Sequence, residues 1–131
     1  MKKQFLIFIL GVLSFFACQA QSRIGVQDFD IQIKMTKTDV VMSCTRGCSW
    51  VNLSYTKPLS GKSQWIDENG MVGDLSQGST SHLLFSLSYE GAEVRLVSKH
   101  GTYWKELNFT LSENQAINID QNGMKGSVQK I

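Results

Sequence analysis

The sequence predicts an all-β domain built from two tandem copies of one short unit. Beyond residue 20, apolar and polar residues alternate with a period of two, which is typical of half-buried strands. A shift of 54 residues aligns glycine, tryptophan and apolar positions, and turns containing Gly, Ser or Asn separate the segments. We place the copies at about residues 28–73 and 82–126, within a single domain of residues 21–131.

The first twenty residues have the pattern of a secretory signal peptide. A basic start at Lys2 and Lys3 precedes the apolar run 5–16, and small residues follow up to Ala20. The run is shorter than the roughly 20 apolar residues that span a membrane. We therefore predict an exported protein, cleaved after Ala20, in the periplasm, at the outer membrane surface or outside the cell.

Cys18 opens a second processing route. Residues 15–18 read Phe-Phe-Ala-Cys, which follows a bacterial lipobox except at Phe15, where Leu is usual. Acylation of Cys18 would anchor the domain to a membrane, whereas cleavage after Ala20 would discard this cysteine.

The charge of the chain limits its partners. Thirteen Lys and Arg residues against 11 Asp and Glu give a net charge of +2. Lys2 and Lys3 account for that excess, so the chain beyond residue 20 is formally neutral. A neutral domain does not favour nucleic-acid binding. The expected partner is a protein or a glycan, and the expected contact with a membrane is a lipid on Cys18.

Each copy contains four predicted strands. A four-stranded unit buries too little apolar area alone, so we expect the eight strands to form one antiparallel barrel or sandwich with approximate twofold symmetry. Residues 72–81 would connect the copies. The predicted strands are 29–35, 40–44, 53–55 and 64–67 in the first copy and 83–90, 93–98, 107–111 and 116–120 in the second.

Cys44 and Cys48 are predicted to form a disulfide, because exported compartments favour one. Thr45-Arg46-Gly47 fits a three-residue hairpin loop, which would set the two cysteines opposite each other on adjacent strands. The spacing differs from the Cys-x-x-Cys of redox sites, and a zinc site needs more ligands. The second copy has Ser98 and Thr102 at these positions, so the bond belongs to one copy.

The motif Ile-Asp-x-Asn-Gly-Met recurs at residues 66–71 and 119–124. Each motif offers one Asp and one Asn, whereas calcium takes six to eight oxygen ligands. We predict turns in which the Asp side chain caps the backbone and Asn-Gly supplies left-handed residues. No metal or cofactor is predicted.

Trp50 and Trp104 are the candidate ligand-binding residues. In an unbroken strand they would point away from the face that Leu53 and Leu107 share with the core. A β-bulge after the glycine turn could return both indoles to the core. Otherwise each copy presents an indole on an open face, where it could stack on a sugar or anchor a partner.

No catalytic residue is predicted. His82 and His100 have no counterparts in the other copy and are interpreted as surface residues. Glu90, Glu93 and Glu106 are spaced like solvent-facing strand residues, although a pair of carboxylates from distant positions stays open. The chain has no Gly-x-Ser-x-Gly elbow and no glycine-rich phosphate loop.

The repeated pattern Gly-x-x-Trp-x-x-Leu-x-[Tyr/Phe], followed by Ile-Asp-x-Asn-Gly-Met, resembles small uncharacterised exported proteins of Bacteroidota-type bacteria. The resemblance covers most of the chain beyond residue 20. It implies an exported bacterial setting and no particular activity. The residues that carry it outside the Ile-Asp-x-Asn-Gly-Met motifs are Gly47, Trp50, Leu53 and Tyr55, with Gly101, Trp104, Leu107 and Phe109 as their counterparts.

Three functional hypotheses follow from the sequence. The leading one is an exported, non-enzymatic binding or interaction module of the bacterial cell envelope. The second is an accessory or structural envelope lipoprotein subunit, or an inhibitor. The third is a small hydrolase, which would need a carboxylate gathered with His82 or His100.

Overall fold

The computed structural model describes residues 25–73 and 80–130, and every regular element named within them is a strand. The predicted all-β class is confirmed. The signal-peptide prediction and Cys18 lie outside the described residues. The strands are β1 (Asp30–Met35), β2 (Asp39–Arg46), β3 (Asn52–Thr56), β4 (Gln64–Asp67), β5 (Gly70–Val72), β6 (Leu84–Glu90), β7 (Glu93–His100), β8 (Glu106–Thr110), β9 (Gln115–Asp120) and β10 (Gly123–Lys130).

The prediction of eight strands missed β5 and β10, which directly follow the two Asn-Gly turns. β5 has three residues, too few to display an alternating pattern. β10 is interrupted by a register shift between Lys125 and Gln129, and Gly126 there has φ +70°. A β-bulge of this kind breaks the period of two that sequence analysis looks for.

The ten strands form two antiparallel five-stranded sheets in place of a closed barrel. The first sheet has the order β10-β9-β1-β2-β3, and the second has the order β5-β4-β6-β7-β8. Both sheets contribute side chains to a single hydrophobic core, in which Ile31 and Ile33 of β1 lie with Phe85 and Leu87 of β6. The sheets are therefore two faces of one core.

The two copies exchange their last hairpins. Strands β1–β5 belong to the first copy and β6–β10 to the second, yet each copy's final hairpin pairs with the first strand of the other. In the first sheet, residues 30–34 of β1 pair with residues 116–120 of β9. In the second sheet, residues 64–67 of β4 pair with residues 84–87 of β6. Neither sheet can be completed by one copy.

Equivalent irregularities occur in the two predicted copies. The β1–β2 pair shifts register between Asp30 and Ile31, and the β6–β7 pair shifts between Leu84 and Phe85. These positions differ by 54 residues. A bulge adds local twist to a strand, and here it lies where the first strand of each copy, β1 or β6, begins.

The predicted three-residue loop Thr45-Arg46-Gly47 is wrong. β2 continues to Arg46, and the Cys44 N–H donates to the Val51 carbonyl at 2.8 Å. The connection between β2 and β3 is therefore wider than a tight hairpin, and Cys48 lies within it rather than on the opposite strand. The Ser98 N–H makes the same 2.8 Å bond to the Lys105 carbonyl in the second copy.

Glycine is required at one position in each of these connections. Gly47 has φ +91° and Gly101 has φ +98°. A Cβ atom on Gly47 would lie 2.4 Å from the Asp28 carbonyl oxygen, and one on Gly101 would lie 2.5 Å from the His82 carbonyl oxygen. Each connection therefore packs directly on the backbone that leads into the first strand of its own copy.

We expect Gly101→Ala to lower the free energy of unfolding by about 3 kcal/mol, because the methyl group adds a backbone clash to left-handed strain. Gly91→Ala is the matched control, since Gly91 has φ +59° and open space around the added Cβ atom. It should cost about 1 kcal/mol. Urea unfolding measures both, and equal losses would contradict the close approach at Gly101.

Candidate functional site

A groove of about 440 Å³ lies along β6, β7 and β8 of the second sheet. The alternate residues Val94 and Leu96 of β7 are buried in the core, so their neighbours on β7 face outward. Two cross-strand rows of paired polar residues line the groove on this outer side. One row is Ser88–Arg95–Asn108, and the other is Glu90–Glu93–Thr110.

Tyr89 and Phe109 also line the groove, but both pair with the buried Val94, so their half-buried side chains lie on the core-facing side of the sheet. The Tyr89 hydroxyl donates to the Pro58 carbonyl at 2.7 Å, and the Lys57 Nζ atom lies 5.3 Å from the centre of the Tyr89 ring. The Gly61 N–H donates to the Tyr89 carbonyl at 2.9 Å. The connection from β3 to β4 thus holds one wall of the groove in place.

The groove has a paired arginine on one row and two carboxylates facing each other on the other row. The Arg95 guanidinium is hydrogen-bonded to Glu106 on β8. Glu90 and Glu93 lie directly opposite each other across the β6–β7 hairpin, and no ion pair within residues 25–73 and 80–130 includes either of them. Like charges opposite each other destabilise a hairpin, so this end of the groove favours a cation.

The duplication supplies an internal comparison for the groove. The equivalent rows in the first sheet are Lys34–Val41–Ser54 and Thr36–Asp39–Thr56. The Thr36 hydroxyl accepts the Asp39 N–H at 2.9 Å, which closes that hairpin on itself. Val41 stands where the groove has Arg95, and Thr36 stands where it has Glu90. The scaffold is shared, and Thr56 and Thr110 are identical, but the outer rows differ in charge at the positions of Arg95 and Glu90.

The structure places both predicted tryptophans against the core. Trp104 is 9% exposed and packs edge-to-face on Phe85, with ring centroids 6.5 Å apart. Trp50 is half-buried and packs on the same cluster. The Trp50 indole donates to the Asp67 carbonyl at 3.1 Å, and the Trp104 indole donates to the Asp120 carbonyl at 2.9 Å. Each indole therefore forms a hydrogen bond between the connection that contains it and the last hairpin of the same copy.

The predicted Cys44–Cys48 disulfide is present, with Cα atoms 6.2 Å apart. In the second copy the equivalent residues are joined by a hydrogen bond, in which the Thr102 hydroxyl donates to the Ser98 hydroxyl at 2.6 Å. The same pair of positions is thus bridged covalently in one copy and by hydroxyl groups in the other. This parallel assigns the disulfide a structural role.

His82 lies two residues before β6, with its side chain 69% exposed. The Nδ1 atom of His82 is 3.3 Å from Glu68 Oε2, and the His82 N–H donates to that oxygen at 2.7 Å. Beside it, the buried Ser81 hydroxyl donates to Asp67 Oδ2 at 2.6 Å. The serine faces a carboxylate instead of the imidazole, so these four residues form two separate pairs and not a nucleophile–base arrangement.

The Asp-x-Asn-Gly motifs form the predicted capped turns. Asp67 Oδ1 accepts the Asn69 N–H at 2.8 Å, and Asp120 Oδ1 accepts the Asn122 N–H at 2.8 Å. Only the glycines of these motifs have positive φ, so the predicted left-handed conformation of Asn69 and Asn122 is wrong. In the described parts of the chain, no three His, Cys, Asp or Glu side chains are grouped as a metal site would need.

Two buried polar atoms have no hydrogen-bond partner within the described residues, the Tyr55 hydroxyl and His100 Nε2. Burial raises the pKa of the Tyr55 phenol well above its ordinary range. The equivalent of Tyr55 is Phe109, which has no hydroxyl to satisfy. His100 ends β7 and is half-buried, so its predicted surface position is only partly correct.

The sequence does not predict the groove. Glu90 and Glu93 are exposed, as predicted, and the sequence assigns no ligand-binding role to Arg95 or Asn108. The repeat alignment contains a signal that could have found them, because core positions match between the copies while Glu90 and Arg95 replace the uncharged Thr36 and Val41. That signal identifies a difference, and only the strand pairing gathers the differing residues on one surface.

We expect Ser98→Cys with Thr102→Cys to form a second disulfide and to raise the free energy of unfolding by about 2 kcal/mol, as a five-residue loop predicts. The matched variant Cys44→Ser with Cys48→Thr should lose a similar amount. Intact mass and thiol counting test bond formation, and urea unfolding tests stability. Persistent free thiols in the oxidised double variant would contradict the equivalence of the two sites.

We expect Tyr55→Phe to raise the free energy of unfolding by about 1 kcal/mol at neutral pH, because it removes an unpartnered hydroxyl. Above a pH of about 10 the unfolded chain ionises Tyr55 while the folded protein does not. The folded protein therefore loses stability as the pH rises, and this loss should be absent from the variant. Tyr89→Phe is the control, since it breaks the bond to Pro58 and should lower stability.

Comparisons of the chain with protein-family models, with curated proteins and with solved structures gave no match. Within the residues that the structure describes, no helix has the length and apolar character needed to cross a membrane.

Proposed function

We propose that this domain is a face-to-face sandwich of its two sheets that works as an exported, non-enzymatic binding module of the bacterial cell envelope. The signal-peptide pattern of residues 1–20 supports the exported setting. The groove on β6, β7 and β8 supports the binding role, because it gathers exposed charged and hydrogen-bonding side chains from neighbouring strands on one concave surface, where such groups can orient a ligand.

The observation that carries the proposal is the difference between the two sheets. Both copies share the core, the bulge and the glycine-containing connections, so the fold itself places no demand on the outer rows. Arg95 and Asn108 occupy the positions of Val41 and Ser54, and they line a groove. Side chains that differ where the scaffold repeats are the natural place for a specific function.

The accessory-subunit alternative uses the same groove with one dedicated protein as its ligand. It is favoured over free ligand binding if the mature protein carries a lipid on Cys18 and co-purifies with a single partner. Intact mass of the mature protein identifies the lipid and the cleavage site directly.

We expect a ligand to shift the amide resonances of Arg95, Asn108 and Phe109 in ¹⁵N-labelled protein. The probes are a muropeptide mixture, a panel of neutral oligosaccharides and a library of short peptides. Asn108→Ala should weaken binding about fivefold, the value of one hydrogen bond of about 1 kcal/mol. Ser54→Ala is the matched control on the other sheet and should leave binding unchanged. Shifts confined to the first sheet, or no shifts with any probe, would contradict the proposal.

A further inference from the structure

β8 is an edge strand, and the groove runs beside it. It is the last strand in the sheet order β5-β4-β6-β7-β8, and β7 is the one strand that pairs with it among the described strands. The free edge of a strand presents main-chain donors and acceptors to any extended segment that can align with it. In such a strand, the main-chain N–H and C=O groups of alternate residues point away from the neighbouring strand.

The hydrogen bonds at the two ends of the β7–β8 ladder determine which main-chain groups of β8 point away from β7. The Leu111 N–H donates to the Ala92 carbonyl, and the Ser98 N–H donates to the Lys105 carbonyl, each at 2.8 Å. Hydrogen-bonded and non-hydrogen-bonded residue pairs alternate in an antiparallel ladder. The main-chain N–H and C=O groups of Leu107 and Phe109 therefore form hydrogen bonds with β7. The N–H and C=O groups of Glu106, Asn108 and Thr110 therefore point to the open edge.

The side chains beside this edge belong to the groove rows. Asn108 and Thr110 are exposed on the outer face, and Arg95 and Glu93 follow them on β7. A strand added to β8 would continue each row by one residue, because paired residues of neighbouring strands share a face. The row Glu90–Glu93–Thr110 would then meet a side chain of the added strand.

Charge complementarity selects the chemistry of that side chain. Two carboxylates face each other in this row, and neither is in an ion pair among the described residues. The other charged pair of the groove, Arg95 with Glu106, neutralises itself. A Lys or Arg near the Glu90–Glu93 end would relieve the repulsion between the carboxylates.

We propose that the ligand of the groove is an extended segment of a partner protein, which adds a strand to β8 and places a Lys or Arg beside Glu90 and Glu93. This rests on the proposed binding function and names its ligand class. Main-chain hydrogen bonds to Glu106, Asn108 and Thr110 hold the segment, and the groove selects its side chains.

The equivalent edge strand β3 provides the matched control. The Cys44 N–H bond to Val51 places Ser54 outward on β3, as Asn108 is on β8. The neighbouring hairpin lacks the carboxylate pair, because Thr36 occupies the position of Glu90. A proline at either position removes one outward N–H and leaves the internal ladder intact.

The test uses a phage-displayed library of random nine-residue peptides selected on the mature protein, which is residues 21–131 if cleavage follows Ala20. Selected peptides should alternate β-forming residues and contain Lys or Arg. Asn108→Pro should weaken their binding at least about tenfold, and Ser54→Pro should change it less than about twofold. Hydrogen exchange of the Asn108 amide should slow at least about tenfold when a selected peptide saturates the protein.

Glu90→Gln with Glu93→Gln should remove the preference for Lys or Arg while peptides still bind. Selected peptides that bind Asn108→Pro as tightly as the original protein, or no selected peptides at all, overturn strand addition. An oligosaccharide or muropeptide that shifts Arg95 and still binds Asn108→Pro overturns strand addition and leaves the binding module standing. Thermal unfolding of both proline variants separates lost binding from lost folding.

Discussion

The pairing of β1 with β9, and of β4 with β6, is the interaction on which the rest of the structure depends. These two ladders join the copies through main-chain hydrogen bonds and place the last hairpin of each copy in the sheet of the other. A single copy has three strands in one sheet and two in the other, so it cannot enclose the core alone. Each half of the domain therefore supplies strands that the sheet of the other half lacks.

The connections after β2 and β7 secure this exchange. Each turns at a glycine that packs against the backbone before the first strand of its own copy, and each carries an indole that donates to the exchanged hairpin. The disulfide in one connection and the Ser98–Thr102 hydrogen bond in the other brace the same geometry by different chemistry. The tryptophans, cysteines and glycines that stand out in the sequence thus act together in holding the two sheets.

Because the core and connections satisfy the fold in both copies, the outer faces are free to differ. The first sheet carries self-contained pairs there, such as Asp39 with Thr36 and Asp30 with Lys125. The second sheet carries the groove, with two carboxylates at one end that are in no ion pair among the described residues, and with the edge strand β8 alongside. A symmetric scaffold with one differentiated face is a simple way to build a single binding site on a small domain.

The sequence by itself determined the all-β class, the repeat, the disulfide and the capped Asp-x-Asn-Gly turns, because each depends on local alternation, spacing or turn chemistry. Only the tertiary structure decided the hairpin exchange, the inward placement of Trp104 and the groove. Strand partners are chosen by contacts between residues far apart in the chain, such as Asp30 with Asp120, and local patterns carry no record of them. Glu90, Arg95 and Asn108 became neighbours for the same reason, since three successive strands had to pair before their side chains shared a surface.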